Sequence, residues 1–188
     1  MTGLVLALSG CGGSDSSSGD KPSTKPAGST FTQTPADGDT VTGTGYSFAV
    51  PKGWKVEKPT TATTTTIDSQ AANAKDHDGF IDNINVVHQN AAQDVSAKGF
   101  EDSLLQQLKG YPQYSDVNRR SRVHIAGELA LHVDATQTVK GAKFLTDQYY
   151  VSHGNAVDVI TFAYSLGVSQ KQQDDLAGSV LATWKWAS

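Results

Sequence analysis

Three sets of residues in this chain could do chemistry. In Asp76-His77-Asp78-Gly79-Phe80-Ile81-Asp82, three carboxylates and an imidazole stand close enough to surround a hard cation. Calcium takes roughly six to eight oxygens, and an EF-hand loop needs a further acidic ligand after its glycine. No acid stands at that spacing, so the stretch reads as a polar turn ahead of a strand, and no metal or other cofactor is expected. The second set is Arg122, His124, His132 and Asp134, which the two strands of a hairpin would bring together. They could form a polar binding patch or half a metal site. The simpler reading is a solvated or helix-covered sheet face. The third is Cys11, the only cysteine. With no second thiol there is no internal disulfide and no cysteine-rich zinc site, so the core must hold the fold unaided.

Cys11 follows the apolar run Leu4-Val5-Leu6-Ala7-Leu8 and two small residues, Ser9 and Gly10. An apolar run closed by small residues is a processing signal, and Leu8-Ser9-Gly10-Cys11 resembles a bacterial lipobox. That resemblance implies a signal peptide over residues 1–10, acyl chains on Cys11, and a protein held on the extracytoplasmic face of the cell membrane. One acyl chain holds a protein only marginally, whereas two hold it stably. No Lys or Arg precedes Cys11, although signal peptides open with basic residues; the natural start is therefore expected upstream. No stretch approaches the ~20 apolar residues of a membrane-spanning helix.

The elements that would position the remaining chemistry begin after a long polar segment. From Gly12 to Asp39 Gly, Ser, Thr, Pro and Asp dominate, with Phe31 the one large apolar residue. Such a sequence buries too little to offset its ordering entropy. Residues 11–39 are expected to form a flexible tether reaching roughly 30 Å. Residues 40–188 recover regular apolar patterning and suffice for one domain with its own core. The net charge of −4 and pI near 5.6 exclude nucleic acid as a partner. Arg119, Arg120 and Arg122 read as solvated strand surface.

Within the domain, Tyr46, Phe48 and Val50 alternate with small residues as in a half-buried strand, before Pro51 and Gly53 break it. The β-branched run ending at Ile67 and the segment Phe80–Val87 are the next expected strands. Phe100, Leu104, Leu105 and Leu108 then share one stripe of a helix predicted from Ser96 to Lys109. Two long segments, Arg120–Ile125 and Leu129–Val139, flank Ala126-Gly127-Glu128. A three-residue loop there sets Val123 opposite Leu131, Arg122 opposite His132 and Arg120 opposite Asp134. Turns at Lys140–Lys143 and Gly154 separate three long strands. Ser169 and Gln172 form a capping-box pattern opening a final helix with Leu176, Val180, Leu181 and Trp184 on its apolar stripe. Segregated antiparallel strands with helices read as α+β, an antiparallel sheet flanked by α-helices.

Three pieces of this order, Gly45–Val56, Val123–Ala135 and Val157–Tyr164 with its closing helix, resemble the PsbP-like fold, shared by a photosystem accessory subunit and a nuclear Ran-binding import factor. With the lipobox and the tether, the chain is similar to the actinobacterial LpqN/LpqT-type lipoproteins over about residues 40–188. The resemblance implies an α/β/α sandwich and an accessory or binding role. No Gly-x-Ser-x-Gly and no His-Glu-x-x-His occurs. Gly43-Thr-Gly45 precedes a strand instead of following one, against a dinucleotide loop. Ser18-x-x-Lys21 lies in the tether. The expectation is a lipid-anchored envelope protein, not an enzyme, whose domain binds a protein partner or a hydrophobic small molecule. Trp54, Tyr149, Tyr150, Trp184 and Trp186, with Arg122, His124 and His132, are the candidate contacts. The aromatics equally suit the core. The alternatives are a carrier with an enclosed apolar cavity and an unrecognised hydrolase built on His124, His132 and Asp134.

Overall fold

Side chains at Tyr46, Phe48 and Val50 are all buried, as their alternation requires. They belong to a computed structural model that describes residues 28, 30–58, 61–62, 65–76, 79–91 and 94–187. Leu8-Ser9-Gly10-Cys11, His77 and Asp78 lie outside the described residues. In chain order the first elements are β1 (Thr40–Gly43), β2 (Tyr46–Ala49), β3 (Lys55–Glu57), β4 (Thr61–Ala62), β5 (Thr65–Thr66), β6 (Ser69–Ala72) and β7 (Asn83–Gln89). Helix α1 (Phe100–Gly110) follows, then β8 (Tyr114–Arg119), β9 (Val123–Ile125), β10 (Glu128–Val139), β11 (Ala142–His153) and β12 (Ala156–Tyr164). Helix α2 (Gln170–Leu181) and β13 (Lys185–Trp186) close the chain.

The large sheet is antiparallel, in the order β3-β6-β7-β12-β11-β10-β8, with β9 also pairing β10. A helix covers each face, so the fold is α+β, with the sheet between α1 and α2. Alternation along each strand divides the core in two. On the α2 side, Ile84, Val86, Ile160, Phe162, Tyr149 and Val151 pack with α2 and with a small sheet, β1-β2-β13. On the α1 side, Val87, Leu131, Val133, Tyr150 and Val159 pack under Leu104, Leu105 and Leu108. Helix α2 opens as its sequence predicts. Ser169 accepts from the Gln172 N–H, and the Gln172 side chain accepts from the Ser169 N–H at 2.9 Å.

Several local expectations are corrected. The helix expected from Ser96 begins at Phe100, because the Ser96 N–H is taken by Asp94 Oδ1 (2.8 Å) and Gly99 adopts a left-handed φ of 85°. The strand expected from Phe80 begins at Asn83. The threonine run yields only the two short strands β4 and β5, while Ser69–Ala72, with no apolar alternation to announce it, is a fully buried strand.

The β9–β10 hairpin turns on two residues, not three. Ala126 (φ 46°) and Gly127 (φ 91°) both sit in the left-handed region, as a primed two-residue turn requires. Ile125 therefore pairs with Glu128, His124 with Leu129, and Val123 with Ala130. Matching apolar to apolar could not select this register. Ala130 and Leu131, adjacent in sequence, are both fully buried because both faces of β10 are covered. Of the three arginines, Arg119 is exposed as expected, whereas Arg120 and Arg122 are half-buried. Arg119 bonds Asp102, Arg120 bonds Asp134 (3.4 Å) and Asp174 (3.3 Å), and Arg122 bonds Glu101 (2.8 Å), tying the strands to both helices.

Chain packing also starts before Thr40. Phe31 and Ala36 lie against the α2-side core, and the Ala36 N–H donates to Ser179 O at 2.9 Å. The Gly28 carbonyl meets His124 Nδ1 at 3.1 Å. Residues 30–39, expected in the tether, thus form a strap over the α2 side.

Candidate ligand groove

The two long strands β10 and β11 have 12 residues each and α1 has 11. At about 3.3 Å per strand residue and 1.5 Å per helix residue, the helix spans less than half of the strands it lies on. The uncovered end of the α1-side face is a groove of about 440 Å³. Its floor is where the inward alternation turns from aliphatic to amide and hydroxyl: Asn83 and Asn85 on β7, Thr161 on β12, Gln148 on β11 and Gln137 on β10. Val87, Val159 and Tyr114 border it toward α1. Phe80, from the loop before β7, stacks on Phe144 with ring centroids 4.9 Å apart and forms a wall. The β10–β11 turn supplies Val139, Lys140 and Ala142. Ile81 also lines the groove and is 52% exposed.

Most of the floor is internally bonded. Tyr150 Oη donates to Gln148 Oε1 (2.9 Å), Gln148 Nε2 to Thr161 Oγ1 (3.3 Å), Gln137 Nε2 to Tyr114 Oη (3.4 Å) and Asn83 Nδ2 to Ile81 O (2.9 Å). The Asn85 amide shows no such bond among the described residues. Burial pushes the Tyr114 phenol up to about 12, against a smaller lowering by the Gln148 hydrogen bond, so it stays protonated. Lys140, on the rim, is the only charged side chain of the lining among the described residues. An apolar trough with a neutral, pre-set polar floor can hold and orient a small amphiphile. Among the described residues it presents no pair of carboxylates or imidazoles to move a proton.

The residues singled out from sequence lie elsewhere. Trp54, Tyr149, Tyr150 and Trp184 are all buried core, and none lines the groove. Arg122 is held by Glu101, away from His132. His124 alternates with Val123 and Ile125, so it points to the opposite side of the hairpin from the α2-side core. Of these candidates His132 and Tyr149 line a common cleft of about 280 Å³, with Arg120, Asp174 and the strap residue Phe31, and Asp134 reaches its edge only through Arg120, at 3.4 Å. His132 stacks on Tyr149 at 4.2 Å, and its Nε2 faces Asp147 Oδ1 at 3.3 Å. Asp147 is fully buried, and its Oδ2 has no partner among the described residues. Sequence reasoning missed Asp147, since nothing local links residues fifteen apart on different strands. In the first set, the Asp76 carboxylate accepts from the Asp82 N–H at 3.1 Å, as a polar turn would have it. Among the described residues no three metal-ligating side chains gather, and no helix is long and apolar enough to cross a membrane.

No protein-family model and no curated protein sequence matches the chain. Solved structures do. LpqN of Mycobacterium tuberculosis, described as involved in cell envelope biogenesis, is 15% identical, with 74% of this chain and 81% of that one aligned at a TM-score of 0.48. The cyanobacterial PsbP of Synechocystis is 10% identical over 90% of this chain and 98% of that one, at 0.49. A protein from Bacteroides thetaiotaomicron is 18% identical over 77% of this chain, at 0.46; the match spans only 46% of that longer protein. At identities this low the likeness is one of fold, and it brings no ligand, site or activity to this chain.

Proposed function

We propose that the chain is a lipid-anchored envelope protein whose domain binds a small amphiphilic molecule in the groove, without covalent chemistry. The groove itself carries the reading. It is an apolar trough of about 440 Å³, large enough for a drug-sized molecule, with an unbonded amide, Asn85, on its floor. It departs from the enclosed cavity expected of a carrier by opening along one side of the sheet, between the Phe80–Phe144 wall and the β10–β11 turn. The anchor half of the proposal rests on Leu8-Ser9-Gly10-Cys11.

Native mass spectrometry of the full chain, after incubation with an envelope extract, tests the groove. A discrete small adduct, lost in Ala142→Trp, is the expected result. If no adduct forms and in-cell crosslinking captures a protein instead, the carrier reading gives way to an accessory subunit. For the anchor, Cys11→Ala expressed from the full upstream start should leave the membrane fraction. Retention of that variant would remove the acyl anchor from the proposal.

A further inference from the structure

We infer that the groove end of the sheet is a docking surface for an anionic lipid bilayer, through which the groove is loaded. The inference rests on the groove reading and names where its ligand enters. Three large hydrophobic side chains are exposed among the described residues, and two of them, Ile81 (52%) and Leu166 (56%), are at this end. Strand register brings them together. Ala163 pairs with Asn83 and Leu145 with Tyr164, so Ile81, Leu166 and Lys143 emerge from the ends of three adjacent strands. The Ser165 N–H donates to Asp82 Oδ1 at 3.1 Å, fixing the turn that carries Leu166 beside Ile81.

The charge at this end suits an anionic surface although the chain as a whole is acidic. Lys140 and Lys143 flank the groove mouth and both are exposed. The acids of this end among the described residues, Asp76 and Asp82, are turned onto backbone N–H groups. Exposed aliphatic side chains beside lysines enter the bilayer interface with the apolar groups inward and the ammonium groups at headgroup level. The apolar lip is continuous with the groove through Ile81 and the Phe80–Phe144 wall. A chain leaving a bilayer could therefore slide along apolar surface from membrane to groove.

Reach permits this even on the anchoring membrane. The strap enters beside the β9–β10 turn, at the far end of the long strands, roughly 40 Å from the groove mouth. Sixteen residues lie between Cys11 and Gly28, and the seventeen extended steps from one to the other span about 58 Å.

The test uses the full chain carrying Cys11→Ala, so no acyl group contributes, in flotation with phosphatidylglycerol or phosphatidylcholine vesicles. The same samples are titrated with Nile red to report the groove. Lys143→Glu and Leu166→Ser touch docking residues that do not line the groove. Each is expected to lower partition onto phosphatidylglycerol about tenfold, with Nile red binding unchanged. Lys143→Glu should have little effect on phosphatidylcholine, whereas Leu166→Ser weakens both. Equal flotation of the parent with the two lipids, or variants that float like the parent while still binding Nile red, would overturn the docking surface and leave the groove reading intact. A parent that binds no Nile red removes the groove reading instead, and flotation that still depends on Lys143 and Leu166 then supports the docking surface alone.

Discussion

On the α2 side of the sheet, Trp184 lies between Tyr46 (4.6 Å) and Phe48 (5.1 Å), with the small sheet and the strap completing the layer. On the α1 side, the same strands run out past an 11-residue helix into open solvent. One face receives a helix, three extra strands and the strap; the other receives only a helix. Polar residues follow that division. Those of the filled face are paired with one another, as in Arg120 with Asp134 and Asp174, or His132 with Asp147. Those on the groove floor of the open face are neutral amides and hydroxyls, most of them bonded to one another, with the Asn85 amide left for water or a ligand. A long sheet covered unequally thus acquires a binding site on its poorer face without any residue being set aside for catalysis.

The largest effect should come from the filled face. Trp184→Ala removes a large aromatic from a three-ring stack and is expected to cost about 3–5 kcal/mol, read from urea unfolding. Trp184→Phe should cost clearly less. It keeps a ring between Tyr46 and Phe48 and deletes an Nε1–H that is buried without a partner among the described residues. Nile red affinity at low denaturant should hold in both. A parallel loss of dye binding in folded protein would show that the two faces are coupled and break the comparison.

The open face should respond the other way. Ala142→Trp, on the exposed groove wall, is expected to lower Nile red affinity by about tenfold, roughly 1.4 kcal/mol, while unfolding shifts by no more than about 0.5 kcal/mol. Unchanged affinity would place the dye, and by extension the ligand, outside the groove.

How much of this was legible in the sequence follows the same division. Tyr46, Phe48 and Val50 announce their strand because one face of β2 is buried and the other is not. Ser169 and Gln172 announce α2 because capping is local. The β9–β10 register was not legible, since both faces of β10 are buried and alternation no longer distinguishes them. Nor was the groove, which depends on how far α1 reaches along strands that follow it in the chain. The strap hid in a polar composition, yet left one mark. Gly178 stands inside α2, where glycine costs about 1 kcal/mol relative to alanine, and a Cβ there would meet the side chain of Gln33.

That mark gives the next prediction. Gly178→Ala alone should gain little or lose stability, because Gln33 must move. With Gln33→Ala already in place, the same substitution should stabilise by roughly 0.5–1 kcal/mol, the ordinary helix preference. The difference between the two backgrounds measures the strap on the helix. Equal effects in both would mean that the strap does not rest on α2 in solution, and that the filled face owes nothing to residues 30–36.

The smallest effect is in acid. Asp68 joins the small sheet to the large one, accepting from the Thr44 N–H (2.8 Å), Thr44 Oγ1 (2.6 Å) and Tyr46 Oη (2.6 Å). Partial burial favours its neutral form, but the hydrogen bonds from Thr44 and Tyr46 outweigh that and hold its carboxyl below the ordinary 3.8. A folded-state value below the unfolded one gives stability that is complete above the unfolded value and is lost as pH falls through the folded value. Asp68→Asn should therefore unfold earlier in urea than the parent at neutral pH, and the gap should close only below about pH 4. A gap constant to the lowest pH would assign the loss to geometry and not to the charge. Over the same range Nile red binding should stay flat, because the described lining of the groove holds no carboxylate and no imidazole. A pH-dependent groove beside a pH-independent Asp68 would reverse the comparison, placing the titrating groups on the face that is built from neutral ones.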